Sequence, residues 1–486
     1  MSTSKVLLLI LVCTLVCLPL ASSAQAKETP VRIYDTAKQK LMHENRVLDG
    51  AGENGGGSVA RSQDMARERE QRIAAIHERY VFADIHAHPS RFHRANVERI
   101  GADEVALYQR GLIDLVVCNV STDAAFQGGY VKPDGSEVPR LRGNDVYPIA
   151  PGEAFAFTLD RLARVQRTID AGDAVHAASP EAVLAAKKSG RVSLMPALEG
   201  ADGLESSVEN LRDLYGRGVR LVQLMHFVDN TLGSNQTPPY DDDGLSDVGR
   251  DIVREANRLG MIVDLAHANT QTIVDAIEIS SHPIVFSHTG VKARLDKDRH
   301  LEDEEIRAIA GGGGVIGIWP TADLETIEEM VRHIDHVKEL VGIDHVAIAS
   351  DLRGMSYIDA FGDEANFRVI IDGLLDFGYT NDEVGKVMGG NFFRVWQQVS
   401  AARPEPLERG SVNSVRWDRY YRRWISSEIV IRGGVGCFGI SSVRFAVGRG
   451  STEIHHRLPR LSGNTGAGMN ANIFCHSFCD VVDVSK

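Results

Sequence analysis

Short apolar runs and polar helical stretches alternate along most of this chain. Eight runs read as strands: Tyr80–His86, Leu112–Asn119, Ser193–Glu199, Arg220–His226, Met261–His267, Pro283–His288, Gly313–Trp319 and His345–Ser350. Most are rich in Val, Ile and Leu, the pattern of strands covered on both faces. Helical patterns separate them over Ala154–Lys188, Val208–Tyr215, Asp247–Leu259, Thr270–Ile279, Asp303–Ala310 and Thr326–Val341. The last strand is followed by helical patterns over Glu364–Phe377, Asn381–Met388 and Asn391–Val399. Eight strands with helical crossovers close most economically into a (β/α)8 TIM barrel, an α/β fold. The competing arrangement is a doubly wound open sheet, which would hold its ligand at one switch point and leave the strand count a coincidence.

The flanks break this rhythm. Lys5, the apolar run Val6 to Leu20 and the small residues Ala24-Gln-Ala26 read as an export signal over residues 1–26. The run is shorter than the roughly 20 residues that span a bilayer, so the mature chain is expected to be exported, periplasmic or secreted, with no transmembrane segment. Residues 27–60, with the Gly-rich stretch Gly50 to Gly57, read as a flexible leader. A charged helix over Arg61 to Arg79 then opens a barrel domain spanning 61–402.

Residues 403–486 form an irregular C-terminal extension. From Pro404 onward ten Arg and one Lys face seven acidic residues, about +4, whereas the rest of the chain carries about −17. This tail reads as a disordered or anomalous extension in preference to a basic partner-binding surface.

The overall charge of −13 argues against a nucleic-acid partner, which needs a basic stripe. Cys13 and Cys17 leave with the signal, Cys118 falls in an apolar run, and Cys437, Cys475 and Cys479 lie in the tail. The body is therefore not stapled by disulfides even though it is exported.

The chemistry concentrates at the downstream ends of the strands. His86 and His88 stand in Ala83-Asp-Ile-His-Ala-His-Pro89, Glu199 closes the third strand, His267 the fifth and His288 the sixth, and Asp351 follows the eighth. In a parallel barrel all these ends open onto one face, so residues remote in sequence meet in one pocket. His86 and His88, two apart on an extended chain, point to the same side and can share one divalent metal. Glu199 has two oxygens and can bridge to a second metal held by His267 and His288. Imidazole with carboxylate suits zinc. Asp351 can take a proton from an activated water and pass it on, or cap a helix. His226, ending the fourth strand, can donate to a developing oxyanion, and Arg299, after the sixth, can clamp a carboxylate.

Seven stretches in order carry a resemblance: Asp84-Ile-His-Ala-His-Pro89, Ala197-Leu-Glu-Gly200, Gly218-Val-Arg-Leu-Val-Gln-Leu-Met-His226, Leu259-Gly-Met-Ile-Val-Asp-Leu-Ala-His267, Phe286-Ser-His288, Asp344-His-Val-Ala-Ile-Ala-Ser-Asp351 and Gly389-Gly-Asn-Phe392. Over Tyr80 to Val399 the chain resembles the membrane (renal-type) dipeptidases, zinc peptidases within the amidohydrolase-like barrels. The resemblance implies two divalent metal ions, expected to be zinc, a metal-bridging hydroxide, a short peptide substrate with a free carboxylate, and a homodimer. It implies that His86 ligates the first metal, Glu199 bridges, and His267 and His288 hold the second. His226 and Arg299 would then contact substrate, with Asp351 beside the attacking hydroxide.

Two residues depart from the family pattern. His88 stands where aspartate is expected, making the first site one charge unit more positive, and Arg353 stands where an acidic residue is common. The competing functions are a lactonase, deacylase or phosphotriesterase on the same barrel, or a non-catalytic metal-binding homologue.

Overall fold

In the computed structural model of the chain, residues 55–142, 145–238, 243–401, 443–446 and 451–454 are described, with side chains over 63–142, 145–238 and 243–401. The expected export signal, most of the leader and most of the tail lie outside the described residues. All eight strands form: β1 (Ala83–Ala87), β2 (Leu115–Ser121), β3 (Ser193–Glu199), β4 (Leu221–Gln223), β5 (Ile262–Asp264), β6 (Val285–Val291), β7 (Val315–Ile318) and β8 (Val346–Ile348). They pair in sequence order and in parallel. Every residue in them is buried, which explains their continuous apolar character.

The barrel is drawn together between β8 and β1 by a bridge from Ala87 to Leu352. Two hydrogen bonds support it, His88 N to Leu352 O at 3.0 Å and Asp351 N to His86 O at 2.8 Å. The seam thus runs through three of the expected site residues.

Alternate strand positions (Ile85, Val117, Met195, Leu221, Ile262, Val285, Val315 and Ala347) form one apolar cluster with Phe392 and Trp396 of the helix Asn391–Ala401. That helix is held to the end of the barrel by Asn391 Nδ2, which donates to Ile343 O and Val346 O at 2.7 and 2.8 Å.

Two strands carry β-bulges where histidines sit. Asp84 pairs with Val116 and Ala87 with Cys118, so Ile85 and His86 together face one residue of β2. Phe286 pairs with Ile316 and Thr289 with Ile318, so Ser287 and His288 face Gly317. A bulge re-aims side chains, and here it turns both histidines toward the mouth. It also presses the Ser287 carbonyl onto β7: a Cβ at Gly317 would stand 1.7 Å from that oxygen. Gly317→Ala is therefore expected to cost about 1–3 kcal/mol through overpacking. The measurement is the urea midpoint, and an unchanged midpoint would contradict the tight contact.

Some expected elements differ. The pattern over Ala154–Lys188 resolves into Glu153–Asp170 and Pro180–Lys188, because Gly172 takes φ +81° and Ser179 caps the second helix ahead of Pro180. The pattern over Asn381–Met388 is a short helix, Asn381–Gly385, running into a π turn over Lys386–Gly390. The first helix begins at Gly55, upstream of Arg61, and a crossover helix, Ala102–Arg110, was not foreseen. Residues 443–446 and 451–454, in a separate unit from Leu407 to Lys486, pair as an antiparallel hairpin. Among the described residues no helix is long and apolar enough to cross a membrane.

Behind β6, His333 of the helix Ile327–Val341 accepts the Val291 N–H through Nδ1 at 2.9 Å. Burial, helped by His300 and Arg294, brings its pKa down to about 3. In that window the unfolded chain binds a proton that the folded chain refuses, so stability is full above the ordinary histidine pKa. It should fall as pH drops from about 6.5 toward 3, with a shallower slope in His333→Asn. Denaturant midpoints against pH would show it, and equal slopes for the two proteins would refute the assignment.

Candidate metal centre at the barrel mouth

Glu199 is the hub of the mouth. Its Oε1 lies 3.2 Å from His86 Nε2, 3.2 Å from His226 Nε2, 3.8 Å from His267 Nε2 and 4.0 Å from His288 Nε2. Its Oε2 lies 3.3 Å from His88 Nε2. Asp351 Oδ1 is 3.3 Å from His88 Nε2 and 3.9 Å from His86 Nε2. All of these side chains are buried.

Two groups of potential ligands follow. His86, His88, Glu199 and Asp351 form one, and Glu199, His226 and His267 the other, the donor atoms of each lying within 4.8 Å of one another. His288 stands beside the second group, its Nε2 3.0 Å from His267 Nε2. Sequence reasoning put His226 on the substrate, yet its Nε2 falls inside the donor cluster.

Hydrogen bonds orient the imidazoles. His88 Nδ1 lies 2.8 Å from the Asn119 carbonyl, which can only accept, so Nδ1 carries the proton and Nε2 turns a lone pair inward. His226 Nδ1 lies 2.8 Å from Asp123 Oδ1, a carboxylate with no exposure to solvent. Ser287 Oγ sits 3.2 Å from His86 Nδ1 and 2.9 Å from His288 Nδ1. Ser121 Oγ donates to Glu199 Oε2 at 2.5 Å.

Deeper carboxylates fix the backbone beneath. Asp264 accepts from Ser287 N and Ala266 N, and Asp84 from Ser350 N and Ser350 Oγ. Burial pushes Asp84 up to about 7, against these hydrogen bonds. His267 and Asp351 hold left-handed backbone at φ +72° and +48°. Strain of this kind in non-glycine residues clusters at functional sites.

The electrostatics fit a cation pair. Burial keeps His267 and His288 well below their usual pKa, hence neutral and ready to ligate. Burial works against ionisation of Glu199, but His226, His88 and His86 hold it well below the carboxylate range. Burial also opposes charge on His88, yet Glu199 and Asp351 outweigh it and raise its pKa. His86 Nε2 and Asp351 Oδ1 are buried without a hydrogen-bond partner, the expected condition of ligand atoms. Neutral imidazoles with carboxylates match zinc better than calcium or magnesium. His88 fits the first group as an imidazole, because its ring spans from Asn119 O to both carboxylates.

The cluster floors a cleft of about 650 Å³. Arg299 enters it from the loop after β6, donating to Gln236 Oε1 and to His288 O, with Cζ 5.1 Å over the Trp319 ring. Burial draws its pKa down to about 10, so it stays charged at neutral pH. Among the described residues no carboxylate is in ion-pair contact with it, which leaves its charge for a ligand. Arg353 is engaged elsewhere, donating to both oxygens of Glu364 at 2.9 and 3.0 Å.

Sequence reasoning missed Asp123, Ser121, Ser287 and Trp319. Asp123 lies two residues past the end of β2, so the strand-end rule that found the histidines also reaches it. The serines gave no such signal, since hydroxyl residues are common everywhere.

Fold and donors together define a metal-binding (β/α)8 barrel with its site on the C-terminal ends of the strands. The chain belongs to the membrane dipeptidase family (peptidase family M19), whose profile matches residues 70–408. It is 34% identical over 223 residues to dipeptidase tcpJ of Claviceps purpurea, a match covering 44% of this chain and 52% of that protein. It is 29% identical over 259 residues to the uncharacterized dipeptidase C965.12 of Schizosaccharomyces pombe, covering 49% and 62%. The chain thus spans between half and two thirds of these relatives' lengths.

Among solved structures it is similar to the probable dipeptidase PvdM from Pseudomonas aeruginosa, with TM-score 0.56 and 21% identity over 69% of this chain and 99% of that one. It is also similar to a metallo peptidase from Rhodobacter sphaeroides liganded with a phosphinate mimic of the dipeptide L-Ala-D-Ala, with TM-score 0.54 and 20% identity over 60% and 89%. At such identities the likeness is one of fold.

Proposed function

We propose that this protein is an exported metallo-dipeptidase that hydrolyses short peptides bearing a free carboxylate. The observation that carries the reading is one buried carboxylate, Glu199, ringed by imidazole nitrogens, with the free charge of Arg299 in the same cleft. His86 and His88 would hold one divalent ion and His267 and His288 a second, with Glu199 between them and zinc the expected metal. When bound, such ions supply a water nucleophile at neutral pH and draw electron density from the scissile carbonyl.

The chain's own residues do the rest. Arg299 anchors the substrate's carboxylate, and its distance from the donors limits the length of peptide that fits. Asp351, its Oδ1 buried without a hydrogen bond beside His88 Nε2, accepts the proton of the attacking water and delivers it to the departing amine. His226 is assigned to the oxyanion in preference to a metal. The Asp123 carboxylate at its Nδ1 fixes the ring with Nε2 turned into the cleft, toward the place of the oxyanion.

A panel of dipeptides, N-acyl amino acids, lactones and phosphotriesters offered to the metal-loaded protein tests the reading. Dipeptides should be hydrolysed fastest, with activity abolished by a chelator and restored by zinc. Faster turnover of lactones or esters would place the protein elsewhere among the barrel hydrolases.

A further inference from the structure

Arg299 is not the only uncommitted cation at the mouth. Arg94, in the loop after β1, and Arg140, beyond β2, also line the cleft. They flank Gly129 closely: a Cβ there would lie 2.9 Å from Arg94 Nη1 and 3.1 Å from Arg140 Cβ. Arg94 is braced by donating to Gly128 O at 3.1 Å and, through Nε, to His93 Nε2 at 3.1 Å. The His93 ring in turn lies 4.1 Å from that of His88, tilted against it. Arg140 Cζ stands 5.2 Å over the Phe227 ring, which lies 4.3 Å from His226 and 5.1 Å from His267. Each guanidinium is therefore one ring away from the donor cluster.

Neither arginine has a carboxylate in ion-pair contact among the described residues, whereas two other cleft cations do. Lys297 pairs with Asp323 at 3.3 Å and Arg353 with Glu364. Burial is the main influence lowering the Arg94 pKa; Asp123 opposes it and Arg140 reinforces it. An anion between the two guanidinium groups would relieve both the desolvation and the mutual repulsion.

Placement decides what that anion is. In an eight-stranded barrel β2 lies across from β6 and β1 lies next to β2, so Arg94 and Arg140 come from loops on the side of the mouth away from the loop that carries Arg299. A dipeptide held by its carboxylate at Arg299, with its peptide bond over Glu199, sends its amino-terminal residue toward Arg94 and Arg140.

We propose that Arg94 and Arg140 form a second anion subsite, selecting dipeptides whose amino-terminal residue has an acidic side chain. This rests on the reading of the cleft as a dipeptidase site anchored by Arg299.

Calorimetric titration of the zinc-loaded protein with phosphinate mimics of Glu-Ala, Ala-Ala and Lys-Ala tests it without requiring turnover. The Glu-Ala mimic should bind about ten-fold tighter than the Ala-Ala mimic, an ordinary return for a charge-assisted contact. Arg140 is exposed and makes no described hydrogen bond, so its variants are expected to fold. Arg140→Ala should bring the ratio of the two affinities near one, and Arg140→Glu should favour the Lys-Ala mimic. Ratios equal in wild type and both variants, or no binding of any mimic, would overturn the subsite. Selective binding of the Glu-Ala mimic without hydrolysis of Glu-Ala would uphold the subsite and sink the dipeptidase reading.

Discussion

Asp351→Asn is expected to lower kcat on a dipeptide by about 10²–10⁴-fold while the metal content stays that of the wild type. The substitution changes little but the ability to take a proton. Asparagine tolerates the left-handed backbone that residue 351 adopts at φ +48°. The surrounding backbone bonds, Asp351 N to His86 O and Gly354 N to Asp351 O at 2.8 and 3.0 Å, do not involve the side chain. An amide oxygen can still face His88 Nε2, as the carboxylate does at 3.3 Å. What is lost is the base that receives the water's proton and the acid that returns it to the amine. Metal content by mass spectrometry and steady-state kinetics on one preparation separate the two effects. A variant with normal metal content and near-normal turnover would remove Asp351 from the mechanism.

The second large effect is expected at Glu199. Glu199→Ala should weaken metal binding by more than the 10–100-fold typical of losing a partner outside the ligand sphere, because this carboxylate serves both ligand groups. Without it the buried rings of His86, His88, His226, His267 and His288 keep their positions but lose the negative charge that lies 3.2 to 4.0 Å from four of them and 3.3 Å from the fifth. Competition with a chromophoric chelator would measure the loss. Glu199→Gln should fall in between, since its amide oxygen still ligates but its charge is gone. Wild-type affinity in both variants would mean that the ions sit elsewhere.

These two residues also show what was legible beforehand. Strand ends are readable because buried parallel strands are continuous apolar runs, and a polar residue at the end of such a run stands out. Glu199, His86, His88, His267, His288 and Asp351 were all found that way and do converge, and His226 and Arg299 reach the same cleft. Their fine placement was not legible. The bulges that turn His86 and His288 depend on register with a neighbouring strand, and the sequence of one strand does not encode register. The approach of His226 to Glu199 depends on Asp123, from a loop more than 100 residues away, holding the other side of its ring. The helix Ala102–Arg110 went unseen because its apolar face is small, only Val105 and Tyr108 being buried apolar residues there. Arg353 stands where an acidic residue is common, and the single chain could not show that Glu364, eleven residues on, neutralises it.

The most direct measurement is anomalous diffraction at the zinc edge from crystals of the zinc-loaded protein. Two peaks should flank the Glu199 carboxylate, one near His86 and His88 and the other near His267 and His288, with both greatly weakened in Glu199→Ala. A zinc-loaded protein with no peak at the barrel mouth, or with peaks that survive that substitution unchanged, would contradict the account.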